Sequence, residues 1–305
     1  FYMAKYLSTQ ELGVYGLIVV IISYSLYLVG LDFYTYSTRE LVVRPKSEWG
    51  GYIKKQGQLI LVTYAVFLPI IFLAAQSFLS NSWLVFLIIL IVLEHLNQEF
   101  MRLLIASSNA VIASNLLFIR SGLWCYIVIA LMHLELVEKS LIIILIFWII
   151  FNLLALIYSL IVIVNNTKLK NTKKIQYKWV LQGLKICLPL LFSTLIVRAI
   201  TTYDRVWLQK IDGIEVVAVY ALFFGLTNSI LSFLETSIFS FIYPRMLKET
   251  NNKEKFSLLV KKMWVQSILL ITFVSLVLSL MLPTLLYSKR DFFFFFFFFP
   301  LKIYV

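Results

Sequence analysis

"SLIIILIFWIIFNLLALIYSLIVI", residues 140–163, carries no charged side chain. This run is long enough to cross a bilayer, because a spanning helix needs roughly 20 mostly apolar residues. The rest of the chain has the same character: hydrophobic residues make up 61% of it and charged residues 14%, and its mean hydropathy is +0.92. A soluble domain carries roughly a quarter charged residues. The composition therefore predicts an integral membrane protein.

Seven other apolar runs have a similar length, so we predict eight spanning helices. Strands of a transmembrane barrel would alternate in hydrophobicity over about ten residues, and these runs do not. The predicted fold class is an all-α polytopic membrane protein. The predicted spans are 12–31, 57–76, 83–105, 112–132, 140–163, 185–204, 216–243 and 263–287.

Positive charge is concentrated in alternate loops. The loops after the first, fifth and seventh predicted spans are rich in Lys and Arg, whereas residues 77–82 carry no charge and residues 133–140 are net acidic. Lys and Arg are enriched in cytoplasmic loops, so we predict that the basic loops are cytoplasmic and that Glu11 faces outward. The basic cytoplasmic loops account for the net charge of +12. The charge therefore does not indicate a nucleic-acid partner.

A short internal repeat indicates two related halves. "LGVYGL" (12–17) resembles "VAVYAL" (217–222), and the two copies open the first and the seventh predicted spans. Parallel repeats of this kind are found in transporters built from two halves. The predicted domains are an N-terminal bundle (1–164), a Lys-rich cytoplasmic linker (165–182), a partial C-terminal bundle (183–287) and a low-complexity tail with eight consecutive Phe residues (288–305).

Both ends of the chain are unusual. The sequence begins with Phe1 rather than Met, and the Phe run follows the last predicted span. We therefore expect a helix upstream and further helices downstream, so that about eight of about twelve helices are present. The Phe run is either an apolar entry to the next helix or the product of a shifted reading frame.

Several ionisable residues fall inside or beside the apolar spans. Such groups are costly in lipid and usually face the bundle interior or water. Asp32 and Arg39 are seven residues apart, two turns of a continuous helix, so we predict that they share a face. The stretch "LEHLNQEFMR" (93–102) places Glu94, His95, Gln98, Glu99 and Arg102 on one broad face.

The later spans add further candidates. The sixth span contributes Arg198, Asp204 and Arg205, the seventh Glu235, and the fourth Arg120. Guanidinium groups bind phosphate in a bidentate manner, so we predict an anion-binding, polar cavity wall. The alternative is that Arg39, Arg102, Asp204 and Arg205 lie at helix ends and extend to the interface. The residues Glu94, His95, Glu99 and Glu235 are candidates for ion coupling.

Sequence signatures of enzymes are missing. The chain has no P-loop, no G-x-G-x-x-G, no H-E-x-x-H and no nucleophile elbow. Cys125 and Cys187 lie inside apolar runs, where they are expected to serve as packing residues. We predict a protein that is not an enzyme and uses no cofactor or metal.

Three stretches resemble polysaccharide flippases, the O-unit translocases of the MATE-like MOP superfamily. "AKYLSTQELGVYGLIVVIISYSLYLVGLDFYTYSTREL" (4–41) resembles their second helix. "TTYDRVWLQKIDGIEVVAVYALFFGLTNSI" (201–230) resembles the junction of helices 7 and 8, and "IYPRM" (242–246) the end of helix 8. The resemblance covers most of residues 4–287.

The resemblance implies two six-helix bundles in a V shape with alternating access. It implies a lipid-linked oligosaccharide substrate, the undecaprenyl-pyrophosphate-linked repeat unit, which moves from the cytoplasmic to the outer leaflet of the bacterial cytoplasmic (inner) membrane. Membrane lipids and other polysaccharide-assembly proteins are the implied partners. By position, the residues carried over to substrate binding are Asp32, Arg39, Arg198 and Asp204, with Arg205 beside them.

Two other functions remain open at this point. An O-antigen polymerase would be a membrane enzyme with a large outer loop bearing paired catalytic residues. A MATE-type drug or cation antiporter would have a mainly acidic cavity wall, whereas the stripes here hold at least as many Arg as acidic residues.

Overall fold

The computed structural model describes residues 6–77, 79–166, 175–212, 220, 227–228, 230–231 and 234–287. Every regular element in these ranges is a helix, which confirms the all-α fold. The α-helices are α1 (Thr9–Gly30), α2 (Tyr34–Val42), α3 (Trp49–Ala75), α4 (Asn81–Ala106), α5 (Ala110–Phe118), α6 (Trp124–His133), α7 (Leu141–Asn166), α8 (Tyr177–Asp212), α9 (Ser240–Lys248) and α10 (Lys253–Tyr287).

Seven helical stretches among the described residues are long and apolar enough to cross a membrane. They correspond to seven of the eight predicted spans, so the multi-pass prediction is confirmed. The remaining prediction, 216–243, includes residues outside the described ranges, chiefly 216–219 and 221–226, and it stays a prediction. The helices α8 and α10 begin well before the predicted spans 185–204 and 263–287, because a helix continues past the apolar run that identifies it.

Two compact units divide the chain, Phe1–Val217 and Ala218–Val305. The Lys-rich linker, 165–182, was predicted as the boundary between two repeated halves of the sequence. The compact units do not test that boundary, so it stays a prediction. The tail at 288–305 lies outside the described residues.

Helix α4 is the central helix of the first unit. It packs against α7, α1, α5 and α2, and half of its membrane-span window is buried. Leu84, Leu87 and Leu90 on α4 are completely buried, as are Ile18 on α1 and Leu145 on α7. Polar residues on α4 are therefore held inside the bundle by the apolar residues that surround them.

The chain breaks between α1 and α2. Leu31 and Asp32 have left-handed backbone angles, with φ values of 51° and 50°, and the chain turns before α2 begins at Tyr34. Left-handed backbone costs L-residues roughly 1–2 kcal/mol each. The prediction that Asp32 and Arg39 share a face is wrong, because no continuous helix joins them: Asp32 is buried and Arg39 is exposed.

An aromatic cluster joins α8 to α2 and α3. The ring centroid of Trp179 lies 5.3 Å from Phe33, 5.5 Å from Tyr36 and 5.0 Å from Tyr52. Gly183, one turn further along α8, packs directly on the same aromatic surface: a Cβ at this position would lie 2.6 Å from Cδ1 of Tyr36 and closer still to Phe33. A glycine at 183 therefore allows α8 to approach α2 closely.

Glu11 ties the start of α1 to the start of α7. Its carboxylate accepts hydrogen bonds from the Leu141 N–H at 2.9 Å and the Ser8 N–H at 3.0 Å, and Ser8 Oγ accepts from the Glu11 N–H at 3.2 Å. This capping box satisfies N–H groups that have no partner within their helices. It gives a structural reason for the acidic residue in "QELGVYG" (10–16).

The Glu11 cap makes stability depend on pH. Hydrogen bonds from Leu141 and Ser8 hold the pKa of Glu11 below its ordinary value of 4.5. A carboxyl group with a lowered pKa in the folded state stabilises the folded protein when the pH is above its ordinary pKa. This contribution is lost as the pH falls through the folded-state pKa.

Between neutral pH and acid, we expect the melting temperature of the protein in detergent to fall more steeply than that of Glu11→Gln. Glu138→Gln, an exposed acid in the 133–140 loop, is the control. Parallel curves for the protein and Glu11→Gln would contradict this role.

Candidate functional site

The polar stripe of α4 divides between two sides of the helix. Successive residues are 100° apart on a helix, so Glu94 and His95 face different neighbours. Glu94 contacts residues from α7 and the α5–α6 segment, whereas His95 and Glu99 contact residues of α3. Glu94, His95 and Glu99 are all buried. One stripe in the sequence thus becomes two separate networks in the fold.

Glu94 is held by an ion pair and by two further hydrogen bonds to its carboxylate. Its carboxylate lies 3.1 Å from the Arg120 Nη1 atom, and it accepts hydrogen bonds from Trp148 Nε1 at 2.8 Å and Asn152 Nδ2 at 3.1 Å. Arg120 also donates to the Glu94 backbone carbonyl at 3.2 Å. A buried ion pair is sustained only when further hydrogen bonds satisfy both groups. The arrangement favours a structural role for Glu94, and its predicted role in ion coupling stays a prediction.

A π-helical turn places Arg120 beside Glu94. The predicted span 112–132 forms α5 and α6 with the turn Ile119–Leu123 between them. π-Turns inside helices insert an extra residue and are frequent at functional sites. Arg120 is buried within this turn. The hydrophobic pattern alone did not predict this irregularity.

His95 and Glu99 belong to the second network. His95 Nδ1 lies 2.8 Å from the hydroxyl oxygen of Tyr64, and Gln56 Nε2 donates to Glu99 Oε2 at 2.5 Å. Arg102 Nη1 donates to Glu99 Oε1 at 2.6 Å. The Arg102 guanidinium carbon lies 3.4 Å from the centroid of the Tyr34 ring, a cation–π contact. Arg102 is therefore fixed on one edge by Glu99 and on its face by Tyr34.

His95 packs against the end of α1. Its side chain is completely buried, and its Nε2 atom has no hydrogen-bond partner among the described residues. That nitrogen lies 3.9 Å from Glu99 Oε1. A Cβ at Gly30 would be 2.9 Å from it, so the glycine is what allows α1 to end beside this imidazole.

A cavity of about 130 Å³ opens next to Arg102. Asp32 lines it from the break between α1 and α2, and α4 contributes Gln98 and Arg102. Asp32 is 5% exposed, and Thr194 on α8 lies close to its carboxyl group. The other lining residues are Ser23, Leu26, Tyr27 and Gly30.

The predicted site residues have different locations. Asp32, His95 and Glu99 lie at the cavity or directly behind it, and Glu94 lies in the other network. Arg39 is exposed on α2, and Glu235 is exposed in a π-turn of the second unit. Arg198, Asp204 and Arg205 are on α8, and their side chains lie outside the described residues.

Sequence reasoning missed most of the neutral partners. Gln56 and Tyr64 on α3, and Trp148 and Asn152 on α7, complete the two networks. Amides within long apolar runs were an available signal, because a polar group in lipid needs a hydrogen-bond partner.

Comparison with known proteins identifies the family. The family model described as polysaccharide biosynthesis protein matches residues 1–250, whereas no curated protein and no solved structure matches the chain. The match and the spanning helices support a role in polysaccharide synthesis or transport, and both are typical of transporters rather than enzymes. The match covers well over half of the chain, which therefore belongs to the polysaccharide biosynthesis protein family.

Proposed function

We propose that this protein is a flippase that moves undecaprenyl-pyrophosphate-linked oligosaccharide repeat units across the bacterial cytoplasmic membrane. The observation that carries this proposal is a polar cavity, lined by Asp32, Gln98 and Arg102, within a membrane bundle of the polysaccharide biosynthesis family. A translocator needs polar groups inside the membrane to replace the water around a hydrophilic head group. The lipid tail stays in the bilayer.

Three other arginines are assigned to the pyrophosphate. Arg39 is exposed on α2, and Arg198 and Arg205 follow Thr194 along α8, the helix that reaches Asp32. Guanidinium groups suit a pyrophosphate because each presents a planar fork of donors. Asp32 and Asp204 limit the positive charge of the empty pathway.

His95 is better placed for ion coupling than Glu94. Glu94 has an ion-pair partner and two neutral donors. His95 keeps one nitrogen without a partner among the described residues, and it lies behind the cavity-lining Gly30. A group that takes up and releases a proton needs an unoccupied atom, so the coupling site is assigned to His95. Glu99 is bonded to Arg102 and Gln56, and it is the acid nearest to the free imidazole nitrogen, at 3.9 Å.

Complementation tests the function directly. Cells lacking their flippase, polymerase or cation antiporter are each transformed with the gene. We expect it to restore surface glycan only in the flippase mutant and to clear the accumulated lipid-linked units there. Rescue of the polymerase mutant would replace the proposal with the enzyme, and rescue of cation resistance would replace it with the antiporter.

Arg198→Ala is expected to abolish rescue of the flippase mutant although the protein still inserts in the membrane. The lost group is a guanidinium within a helix that spans the membrane. Arg198→Lys should restore activity only in part, because an ammonium cannot form the bidentate contact. Surface glycan and membrane protein level are measured together by blotting. Normal glycan in the Ala variant would remove Arg198 from the pathway.

A further inference from the structure

The spanning helices α3 and α8 contact each other near their first turns, in a basic and aromatic part of the chain. The Lys55 Nζ atom on α3 lies 3.5 Å from the centroid of the Tyr177 ring, the first residue of α8. This is a cation–π contact between two helices far apart in sequence. Residues 49–58 and 175–185, which surround the contact, contain four lysines and no acidic residue. The beginnings of the two helices therefore form one positively charged surface.

This surface lies at the level of the lipid head groups. Lys55 precedes the predicted span 57–76, and Tyr177 precedes the predicted span 185–204. The rings of Tyr52 and Trp179 pack beside the contact, with their centroids 5.0 Å apart. Tyr and Trp are enriched where a membrane protein passes from lipid to water. The surface is on the side of the membrane that the loop charges predict to be cytoplasmic.

Three lysines at this surface have donors available for a ligand. The side chains of Lys54 and Lys178 are exposed, and neither has a hydrogen bond or an ion pair with any residue that the structure describes. An ammonium group has three N–H donors, and Gln58 accepts only one from Lys55, at 3.0 Å. We call Lys54, Lys55 and Lys178 the lysine patch.

Two neighbouring cations are already used within the fold. Lys46 Nζ donates to the Ser107 carbonyl at the end of α4, at 3.1 Å. The Arg44 guanidinium is paired with Glu40 at 2.7 Å and stacked over the Tyr52 ring at 4.8 Å. These contacts hold the loop before α3 in place, so the ligand is assigned to the lysine patch alone.

We propose that the lysine patch binds the head-group phosphate of an anionic phospholipid in the leaflet that it faces. Charge complementarity supports this partner, because basic groups at the membrane surface attract anionic head groups. Lys55 belongs to α3 and Lys178 to α8, so one bound phosphate is bonded to both helices. The lipid therefore stabilises the contact between α3 and α8. It is a resident lipid, distinct from the one that is moved, and the proposal does not depend on the proposed function.

The test compares two phospholipids that differ in head-group charge. The purified full chain is titrated in detergent with phosphatidylglycerol, which is anionic, or phosphatidylcholine, which has no net charge, and binding is measured by native mass spectrometry. We expect about a hundredfold preference for phosphatidylglycerol, from about fivefold for each of three lysines. The combined variant Lys54→Gln, Lys55→Gln and Lys178→Gln should bind the two lipids equally. Phosphatidylglycerol should also raise the unfolding temperature of the unmutated protein but not of this variant.

The matched control removes three lysines from the second unit, where α10 carries them on exposed positions. Lys253→Gln, Lys261→Gln and Lys262→Gln combined should keep the preference for phosphatidylglycerol. Equal loss in the two triple variants would show that overall charge attracts the lipid, and would overturn the proposal. No preference in the unmutated protein would overturn it too. Displacement of phosphatidylglycerol by an equal concentration of inorganic phosphate would identify a site for the free ion instead of a lipid.

Discussion

Arg120→Ala is expected to lower the free energy of unfolding by about 3–5 kcal/mol, the usual cost of removing one partner of a buried ion pair. The side chains of Arg120 and Glu94 are only 10% and 11% exposed. Without Arg120, the Glu94 carboxylate keeps its bonds to Trp148 and Asn152 but loses its counter-charge. The expected readout is a large fall in the thermal unfolding temperature of the protein in detergent, followed by tryptophan fluorescence.

Two further variants isolate the cause of this effect. Glu94→Gln combined with Arg120→Met removes both charges, and should recover much of the lost stability because no charge is left buried and unpaired. Glu40→Gln removes the partner of Arg44 in a pair that is 36% and 29% exposed, where about 0–1 kcal/mol is at stake. Equal stability of Arg120→Ala and Glu40→Gln would show that the Glu94–Arg120 pair does not stabilise the bundle.

Gly183→Ala is expected to destabilise the contact between α8 and α2 by about 1–3 kcal/mol, the usual cost of overpacking. The added methyl group would overlap the rings of Phe33 and Tyr36, which are packed on Trp179 and cannot move independently. In the cell we expect reduced amounts of folded protein and loss of surface glycan. Unfolding in detergent measures the stability.

Gly57→Ala is the matched control for Gly183→Ala. Gly57 is also inside a spanning helix, α3, but a Cβ there would meet no atom within 4 Å. Because glycine is less favourable than alanine inside a helix by roughly 0.5–1 kcal/mol, this variant should be unchanged or slightly stabilised. Similar behaviour of the two variants would mean that the close approach at Gly183 does not hold α8 in place.

The amino-acid sequence by itself determined the fold class and most of the spans. Runs such as 140–163 are apolar over a length that fits a bilayer, and this signal needs no knowledge of the partners. The sequence also identified α4 as unusual, because Glu94, His95 and Glu99 lie within an apolar run and such groups are buried in the bundle interior. The resemblance to polysaccharide flippases supplied the expected substrate. The match to the polysaccharide biosynthesis protein family confirmed the family.

Only the tertiary structure decided which other helices the charged residues of α4 contact. Glu99 pairs with Arg102 three residues along the same helix, but the position of the π-turn is what brings Arg120 to Glu94. The prediction from periodicity required a continuous helix from Asp32 to Arg39. The left-handed backbone at residues 31 and 32 interrupts the helix at this point. A local pattern fixes which residues are polar and how they are spaced along one helix. Which helices meet, and where a helix breaks, depends on contacts between residues far apart in sequence, such as the 2.8 Å bond from Tyr64 to His95.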